Sequence, residues 1–408
     1  MKVAFDTFGC RLSRAESLDL EARFIQAGWE KTHSHSDADL IIVRGCSVTG
    51  RAERDTLKFI AALKKKYPAK RVFTLGCIKD RTPEAMIKRI LRPRGNAEYA
   101  EEIPIPISTA RAYLKVQDGC NSNCSFCIVP SFRGRSKSVV FTRVLERARL
   151  FIASGYTEIV VTGCNLSLYL SEGKRLAELL DALAKLPSGG HRIRIGSLEP
   201  GAVARECVDV MAANENICRF LHIPVQSASN KILSDMRRPY RRNDIDALAD
   251  AAAKAIPGIS LGCDIISGFP GETESDHIAT LEYLKRKGFT NVHAFPYSER
   301  PGTPAADFVN KIARDVRSQR AREISLAVAA KRRDYAKRFR GAKVDVVVEK
   351  ASSTAGWTSE YLWCALNGTQ NGVKESTTVN LPNRPRRRAI VKMLVKDVRG
   401  DTLYGDIV

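Results

Sequence analysis

Arg111-Ala112-Tyr113-Leu114-Lys115-Val116-Gln117-Asp118-Gly119-Cys120-Asn121-Ser122-Asn123-Cys124-Ser125-Phe126-Cys127 is the stretch on which the fold turns. Its first six residues alternate polar or aromatic with aliphatic, as a strand with one covered face does. The strand runs almost directly into C-x-x-x-C-x-x-C at Cys120, Cys124 and Cys127. Three thiolates this close can each take one iron of a [4Fe–4S] cube, and no fourth cysteine stands nearby for the last iron. An open iron can coordinate a small molecule, so the trio points to chemistry at a cluster as well as electron storage. A structural zinc site is the competing reading. Zinc wants four ligands, commonly as two C-x-x-C-like halves, and the next cysteine and histidine, Cys164 and His191, lie far along the chain.

Working downstream, candidate strands at 111–116, 157–162, 192–197, 220–225, 260–266 and 291–297 alternate with helical segments such as 143–153, 176–186, 242–255 and 274–287. Six strand–helix repeats predict an incomplete (β/α)6 barrel, with reactive residues beyond the C-terminal ends of its strands. The cysteine trio follows the first of these strands, where barrel chemistry belongs. Upstream, strands at 2–5, 38–43 and 71–75 alternate with helices at 17–27, 52–66 and 82–91, which predicts an N-terminal parallel α/β domain. Each strand is followed by a glycine-cysteine pair: Gly9-Cys10, Gly45-Cys46 and Gly76-Cys77. Loops after successive parallel strands emerge at one edge, where ligands sit, and glycine permits the tight turn that aims a thiolate inward. Cys10, Cys46 and Cys77 therefore form a candidate second three-ligand cluster site; three unrelated buried cysteines in strand-end turns are the plainer alternative. Residues 92–104, rich in proline, glycine and charge, read as a linker. From Lys343 the chain turns to short strands with glycine turns, the pattern of a small OB-like β-barrel. Such barrels often bind RNA; a dimerisation or lid module is the alternative. The expected division is 1–103, 104–340 and 341–408.

The 408 residues carry a formal charge of +21. A polyanion partner accounts for that surplus, because neutralising phosphates releases counterions; a solvated basic face is the alternative. Arg317, Arg320, Arg322, Lys331, Arg332, Arg333, Lys337 and Arg338 crowd one helix-like stretch, and Arg384, Arg386, Arg387 and Arg388 surround Pro385 in an apparent loop. This late clustering favours nucleic acid. No run approaches the ~20 apolar residues of a membrane span, and the N-terminus lacks a signal-peptide pattern, so the expected location is cytoplasmic. Eleven cysteines in that compartment are ligands or buried thiols rather than disulfides. Cys164, Cys207, Cys218, Cys263 and Cys364 lack ligand spacing and read as core cysteines. Neither a Gly-Lys-Ser phosphate loop nor a Ser-His-Asp arrangement is present, which removes P-loop and hydrolase readings.

Taken in order, the motifs resemble those of the radical S-adenosylmethionine methylthiotransferases over nearly the whole chain, and most of all the branch that modifies N6-threonylcarbamoyladenosine in tRNA. Thr7-Phe8-Gly9-Cys10-Arg11-Leu12 resembles that branch's opening signature, and Cys46-Ser47-Val48-Thr49 and Gly76-Cys77 resemble the next two cluster anchors. Cys120, Cys124 and Cys127 match the radical motif. Ser197-Leu198-Glu199-Pro200, His222-Ile223-Pro224-Val225-Gln226-Ser227, Asp264-Ile265-Ile266, Gly268-Phe269-Pro270-Gly271-Glu272-Thr273 and Arg300-Pro301-Gly302-Thr303-Pro304 are similar to later family motifs. The C-terminal barrel resembles the TRAM module of RNA-modifying enzymes. Three departures bear on the pocket at the second cluster and beyond: Arg44-Gly45 where members commonly carry Asn-Thr, Ser13 for asparagine, and Ala228 for glycine.

The resemblance implies two [4Fe–4S] clusters, on Cys120/Cys124/Cys127 and on Cys10/Cys46/Cys77, and S-adenosylmethionine bound at the first. It implies transfer of a methylthio group to C2 of the adenine, with tRNA, a reductant electron donor protein and a sulfur donor as partners. Gly163, Asn165, Glu199 and Gln226 are the candidate S-adenosylmethionine contacts, with a structural role at the barrel mouth the equal alternative. Gly268, Pro270 and Gly271 read as a turn allowing close cofactor approach, and His222 reads equally as a packed histidine. Two other functions stay open at this point: methylthiolation of a ribosomal-protein side chain, and non-catalytic RNA binding by an iron–sulfur or zinc protein.

Overall fold

The computed structural model describes residues 1–91, 109–187, 190–349, 355–366 and 389–408. Strands β1 (Lys2–Thr7), β2 (Glu30–Lys31), β3 (Leu40–Cys46) and β4 (Arg71–Cys77) form a parallel sheet in the order β2-β1-β3-β4. Helices α1 (Arg11–Gln26), α2 (Gly50–Lys66) and α3 (Glu84–Leu91) accompany it. Leu40, Ile41, Ile42 and Val43 are all buried, because β3 is covered on both faces. The Thr49 hydroxyl accepts from the Ala52 amide at 3.2 Å and caps α2. Helix α1 starts six residues earlier than its pattern suggests. Its N-cap is Cys10, whose side chain makes no capping bond, so the usual Ser, Thr, Asp or Asn start signal is missing.

The centre is the expected incomplete barrel. Strands β5 (Ala112–Lys115), β6 (Glu158–Thr162), β7 (Arg192–Ile195), β8 (Phe220–Gln226), β9 (Ser260–Ser267) and β10 (Phe289–Pro296) form two parallel sheets, β7-β6-β5 and β8-β9-β10. Parallel bridges Ile193–Ile217 and Ser197–His222 join them. Helices α4 (Phe141–Ala153), α5 (Leu176–Ala184), α6 (Ala202–Ala213), α7 (Arg242–Ala255) and α8 (Glu274–Arg286) wrap the outside. Ile159, Val161, Ile193, Ile195, Leu221, Ile223, Leu261 and Ile265 pack beneath those helices. Strand alternation therefore turns Glu158, Arg194, Phe220, His222, Asp264 and His293 into the lumen. Helix α1 lies along β5 on the barrel's open side, where Lys115 Nζ meets Glu16 at 2.7 Å.

After α9 (Arg314–Lys337), strands β11 (Lys343–Val348), β12 (Ala355–Thr358), β13 (Trp363–Leu366), β14 (Ile390–Arg399) and β15 (Thr402–Ile407) close into a barrel ordered β11-β12-β13-β15-β14. Val344, Val346, Leu362, Cys364, Met393 and Leu403 fill it. This barrel seats beneath the N-terminal ends of the central strands. Arg192 donates to the Asp345 and Trp357 carbonyls at 3.0 and 2.7 Å, and Arg194 to the Thr358 carbonyl at 2.8 Å. The Tyr361 ring, stacked on Trp357 at 4.6 Å and lying 4.9 Å from Phe220, forms the lumen floor.

Two sequence expectations change. Half of the basic stretch of α9 is consumed within the chain, while Arg322, Arg333, Lys337 and Arg338 stay exposed. Arg317 pairs with Glu299 at 2.8 Å, Arg320 with Glu272 and Glu274 at 2.8 Å each, Lys331 donates to the Leu284 carbonyl, and Arg332 pairs with Asp401. These four residues make α9 a strut between the barrels. Gly268 (φ +71°) does make a turn, but what closes on it is α9: an added Cβ would lie 2.4 Å from Arg317 Cγ. The expected linker at 92–104 and Arg384, Arg386, Arg387 and Arg388 lie outside the described residues. Among the described residues no helix is long and apolar enough to cross a membrane.

Candidate active site

Cys46 and Cys77 are the last residues of β3 and β4 and pair in register; Cys10 caps α1 beside them. Gly9 (φ +114°) allows that approach, since an added Cβ would stand 3.2 Å from Cys46 Cβ and 3.1 Å from Ser13 Oγ. Gly76 (φ +88°) likewise sits where a Cβ would lie 2.6 Å from the Gly45 carbonyl oxygen. Gly45 itself stays in the strand, and Thr56 Cγ2 would be 2.8 Å from its missing Cβ. Its role is packing rather than the turn anticipated from the sequence. Burial pushes the Cys46 thiol up, and its neighbours Cys10 and Cys77 push it further. The three sulfurs therefore share one field, at the sheet edge where they were expected to meet.

The second trio lies beyond β5. The Cys120 amide donates to the Gly134 carbonyl at 3.1 Å, and the Cys127 amide to that of Cys124 at 3.1 Å. Arg238 donates to Cys124 Sγ at 3.0 Å and to the Tyr240 hydroxyl at 2.8 Å, and pairs with Glu199. Asn165 Nδ2 donates to Glu199 at 2.8 Å, with Cys120 Sγ 3.9 Å away. At Gly163 an added Cβ would sit 2.8 Å from Gln117 Oε1, the atom that accepts the Asn165 amide at 2.9 Å. Gly163, Asn165 and Glu199 thus stand beside this trio. Gln226 ends β8 with φ +65°, at a break in the β8–β9 register. A non-glycine residue held there costs about 1–3 kcal/mol, strain that collects at functional sites. Burial pushes the Cys127 thiol up to about 11.

Arg133 ties the two trios together. Its Nε donates to Cys77 Sγ at 3.1 Å, while Nη1 reaches Glu16 and Asp118 at 2.9 Å each. Lys115 bridges the same carboxylates at 2.7 Å each, and Arg44 joins Glu16 at 2.9 Å. Burial opposes the charge on Asp118, yet Lys115 and Arg133 draw its carboxyl down to about 2. Asp118 stands two residues before Cys120, so a chain of contacts runs from Cys77 through Arg133 to the segment that opens the second trio. Cys164, read as a core cysteine, is instead half-buried at this mouth, donating to Asp118 at 3.5 Å. Deeper in the lumen Asp264 accepts from His222 at 3.0 Å and His293 at 3.3 Å. Burial notwithstanding, these bonds hold its carboxyl well below the usual range. His222 is therefore a hydrogen-bonded histidine that faces the lumen.

The donor sets suit a cube better than a single ion. Two Zn–S bonds of ~2.3 Å in a tetrahedron separate sulfurs by about 3.8 Å. Among the described residues the one group of three His, Cys, Asp or Glu ligand atoms within 4.8 Å of one another is His222, Asp264 and His293, not a cysteine trio. Sulfurs spread wider than that can each serve a different iron. Arg238 and Arg133 add positive charge beside thiolates that ligation would create.

The radical SAM superfamily profile matches residues 114–284, and that described as Uncharacterized protein family UPF0004 matches residues 2–92. The threonylcarbamoyladenosine tRNA methylthiotransferase MtaB of Bacillus subtilis is 29% identical, over 93% of this chain and 93% of that protein. Its Aquifex aeolicus namesake is 30% identical, over 85% of this chain and 93% of that protein. A tRNA-2-methylthio-N(6)-dimethylallyladenosine synthase of Chloroherpeton thalassium is 32% identical, over 79% of each. The chain belongs to the radical SAM methylthiotransferase family. The fold itself is shared more widely. The radical S-adenosylmethionine methyltransferase TsrM of Kitasatospora setae superposes with a TM-score of 0.55 at 13% identity, over 75% of this chain and 77% of that one.

As a radical SAM methylthiotransferase the chain is a sulfur-transferring enzyme that works with a [4Fe–4S] cluster and S-adenosylmethionine. What the sequence did not disclose in this methylthiotransferase is the second layer: Arg133, Arg238, and the partners of Asp264. Arg133 ends a five-residue helix, Val129–Arg133, and Arg238 directly follows a turn, both segments too short for periodicity, and only tertiary packing brings them to sulfur.

Proposed function

We propose that the chain transfers a methylthio group to C2 of N6-threonylcarbamoyladenosine beside the anticodon of tRNA. In this reading Cys120, Cys124 and Cys127 hold one [4Fe–4S] cluster and Cys10, Cys46 and Cys77 a second. The observation that carries it is the contact chain from Cys77 through Arg133 to Glu16 and Asp118, which links the sheet-edge trio to the segment that opens the barrel-mouth trio. The threonylcarbamoyladenosine relatives support the base. When bound, the cofactors supply one-electron removal of the C2 hydrogen and a transferable methylated sulfur. Arg238 steadies the Cys124 thiolate, and Arg133 that of Cys77. Gly163, Asn165, Glu199 and Gln226 line the S-adenosylmethionine side, while Trp357 and Tyr361 keep water from the floor. The chain divides at 103 and 340 into sulfur-donor, radical and RNA-binding units, and works in the cytoplasm with an electron donor protein and a sulfur donor.

A second reading, favoured by the dimethylallyladenosine relatives, keeps the chemistry and changes the N6 group. Nucleoside mass spectrometry of tRNA decides between them, from a host lacking its own methylthiotransferases with and without this chain. The first reading predicts 2-methylthio-threonylcarbamoyladenosine; a methylthio group on dimethylallyladenosine alone overturns it. Arg133→Ala, made in a Cys124→Ala background so that one cluster remains, is expected to lower that cluster's potential by on the order of tens of millivolts, because a cationic donor to sulfur is lost. An EPR-monitored redox titration measures this, and an unchanged potential removes the Arg133 contact from the account.

A further inference from the structure

The lumen floor carries more guanidinium than its carboxylates can neutralise. Glu158 is shared by Arg192, Arg194 (2.9 Å) and Arg111 (3.7 Å), and Glu349 pairs with Arg111 at 2.7 Å. Arg192 and Arg194 spend their other N–H groups on carbonyls of the C-terminal barrel. Arg11 and Arg14 are different. Among the described residues neither pairs with a carboxylate. Their guanidiniums lie instead 5.3 Å from the Tyr361 ring centroid and 6.0 Å from that of Tyr113. Arg194 approaches the Tyr361 ring from 5.0 Å, and Arg111 approaches Tyr113 and Trp357 from 5.9 and 6.0 Å. Burial opposes ionisation of the Tyr361 phenol, yet Arg11, Arg111 and Arg194 pull it down, the mark of a field short of negative charge. Arg11 also hydrogen-bonds the Tyr361 phenol, which orients the guanidinium while the rest of its donor fork stays able to take an anion.

Position gives this surplus a purpose. Arg11 follows Cys10 directly, so its side chain spans from the Cys10/Cys46/Cys77 trio to the floor. On adenine, C2 and the carbon bearing N6 flank the same ring nitrogen. A base with C2 at the trio can therefore send its N6 substituent toward Arg11 and Arg14. We propose that Arg11 and Arg14 form a carboxylate-binding subsite that selects a substrate adenine whose N6 substituent bears a negative charge. The threonylcarbamoyl group ends in such a carboxylate, which can take a two-pronged, charge-assisted bond from arginine. A dimethylallyl group has none and takes no such bond from the half-buried Arg11 or the exposed Arg14, so the subsite favours the charged substituent. The inference rests on the threonylcarbamoyladenosine reading and names the residues that enforce it.

The test uses the anaerobically reconstituted full chain and anticodon stem-loop RNAs that differ at one adenosine: threonylcarbamoyl, its neutral carboxamide analogue, dimethylallyl or unmodified. Phosphate contacts are common to all four, so affinity ratios isolate the N6 group. Wild type is expected to bind the carboxylate form about tenfold more tightly than the carboxamide. Arg11→Gln should bring that ratio close to one, and Arg11→Lys should restore part of it. Iron content is measured for each protein; if Arg11→Gln loses iron beside Cys10, Arg14→Gln provides the same comparison. A ratio near one in wild type, or a full ratio surviving in both glutamine variants, overturns the subsite while methylthiolation of the threonylcarbamoyl RNA still upholds the function. Methylthiolation of the dimethylallyl RNA alone overturns both.

Discussion

Cys46→Ala is expected to keep reductive cleavage of S-adenosylmethionine to 5′-deoxyadenosine while losing methylthio transfer below detection. Cys124→Ala is expected to lose both. The difference comes from where each thiol sits. Cys46 contributes to the sheet-edge trio alone, paired with Cys77 and pressed against Gly9. Cys124 belongs to the barrel-mouth trio, bonded to Arg238, which in turn holds Glu199. On the proposed two-cluster reading, taking one thiolate from a set of three would leave its cube with two anchors, too few to hold it, and leave the other set untouched. Quantifying 5′-deoxyadenosine and methylthiolated nucleoside from the same anaerobic reaction separates the two roles. If Cys46→Ala loses cleavage as completely as Cys124→Ala, the trios do not act separately.

Glu158→Ala should be the most damaging substitution away from sulfur. The carboxylate is fully buried and is the shared partner of Arg192, Arg194 and Arg111. Removing it strands buried guanidiniums, which costs about 3–5 kcal/mol, a large part of a domain's usual net stability. The same arginines hold the C-terminal barrel through the Asp345, Trp357 and Thr358 carbonyls, so that barrel should loosen first. Urea unfolding followed at Trp357 and Trp363 measures the loss, and a change under about 1 kcal/mol contradicts the strut. The pH dependence has a definite sign. Burial disfavours the ionised form, but Arg194 and Arg192 hold the carboxyl far below its ordinary value of 4.5. Its contribution is therefore complete above that value and withdrawn only as the pH falls below it. Lowering the pH from neutrality to about 5 should leave this anchor intact.

Particular residues mark the limit of what the chain discloses unfolded. The six barrel strands are legible because a sheet covered on one side by helices demands aliphatic residues at alternate positions, as Ile193 and Ile195 or Leu221 and Ile223 supply. Cys120, Cys124 and Cys127 are legible as a candidate ligand set because their spacing is that of thiols able to share one cluster. The meeting of Cys10, Cys46 and Cys77 is legible one step further out, since parallel strands deliver their ends to one edge. Arg44 illustrates where that stops: a departure from the family pattern in the sequence, it proves to be tied to Glu16 at the trio's edge.

Order along the chain by itself determined the layers, the six thiols and the strand ends that carry them, because periodicity and ligand spacing are local properties. Only tertiary packing decided that Arg133 reaches Cys77 across 56 residues and that Arg238 reaches Cys124 across 114. It also decided that Arg320 is neutralised at home while Arg11 is left facing the lumen. A charge's effect depends on which partners and how much water surround it, and those are set by packing between segments that no local pattern links.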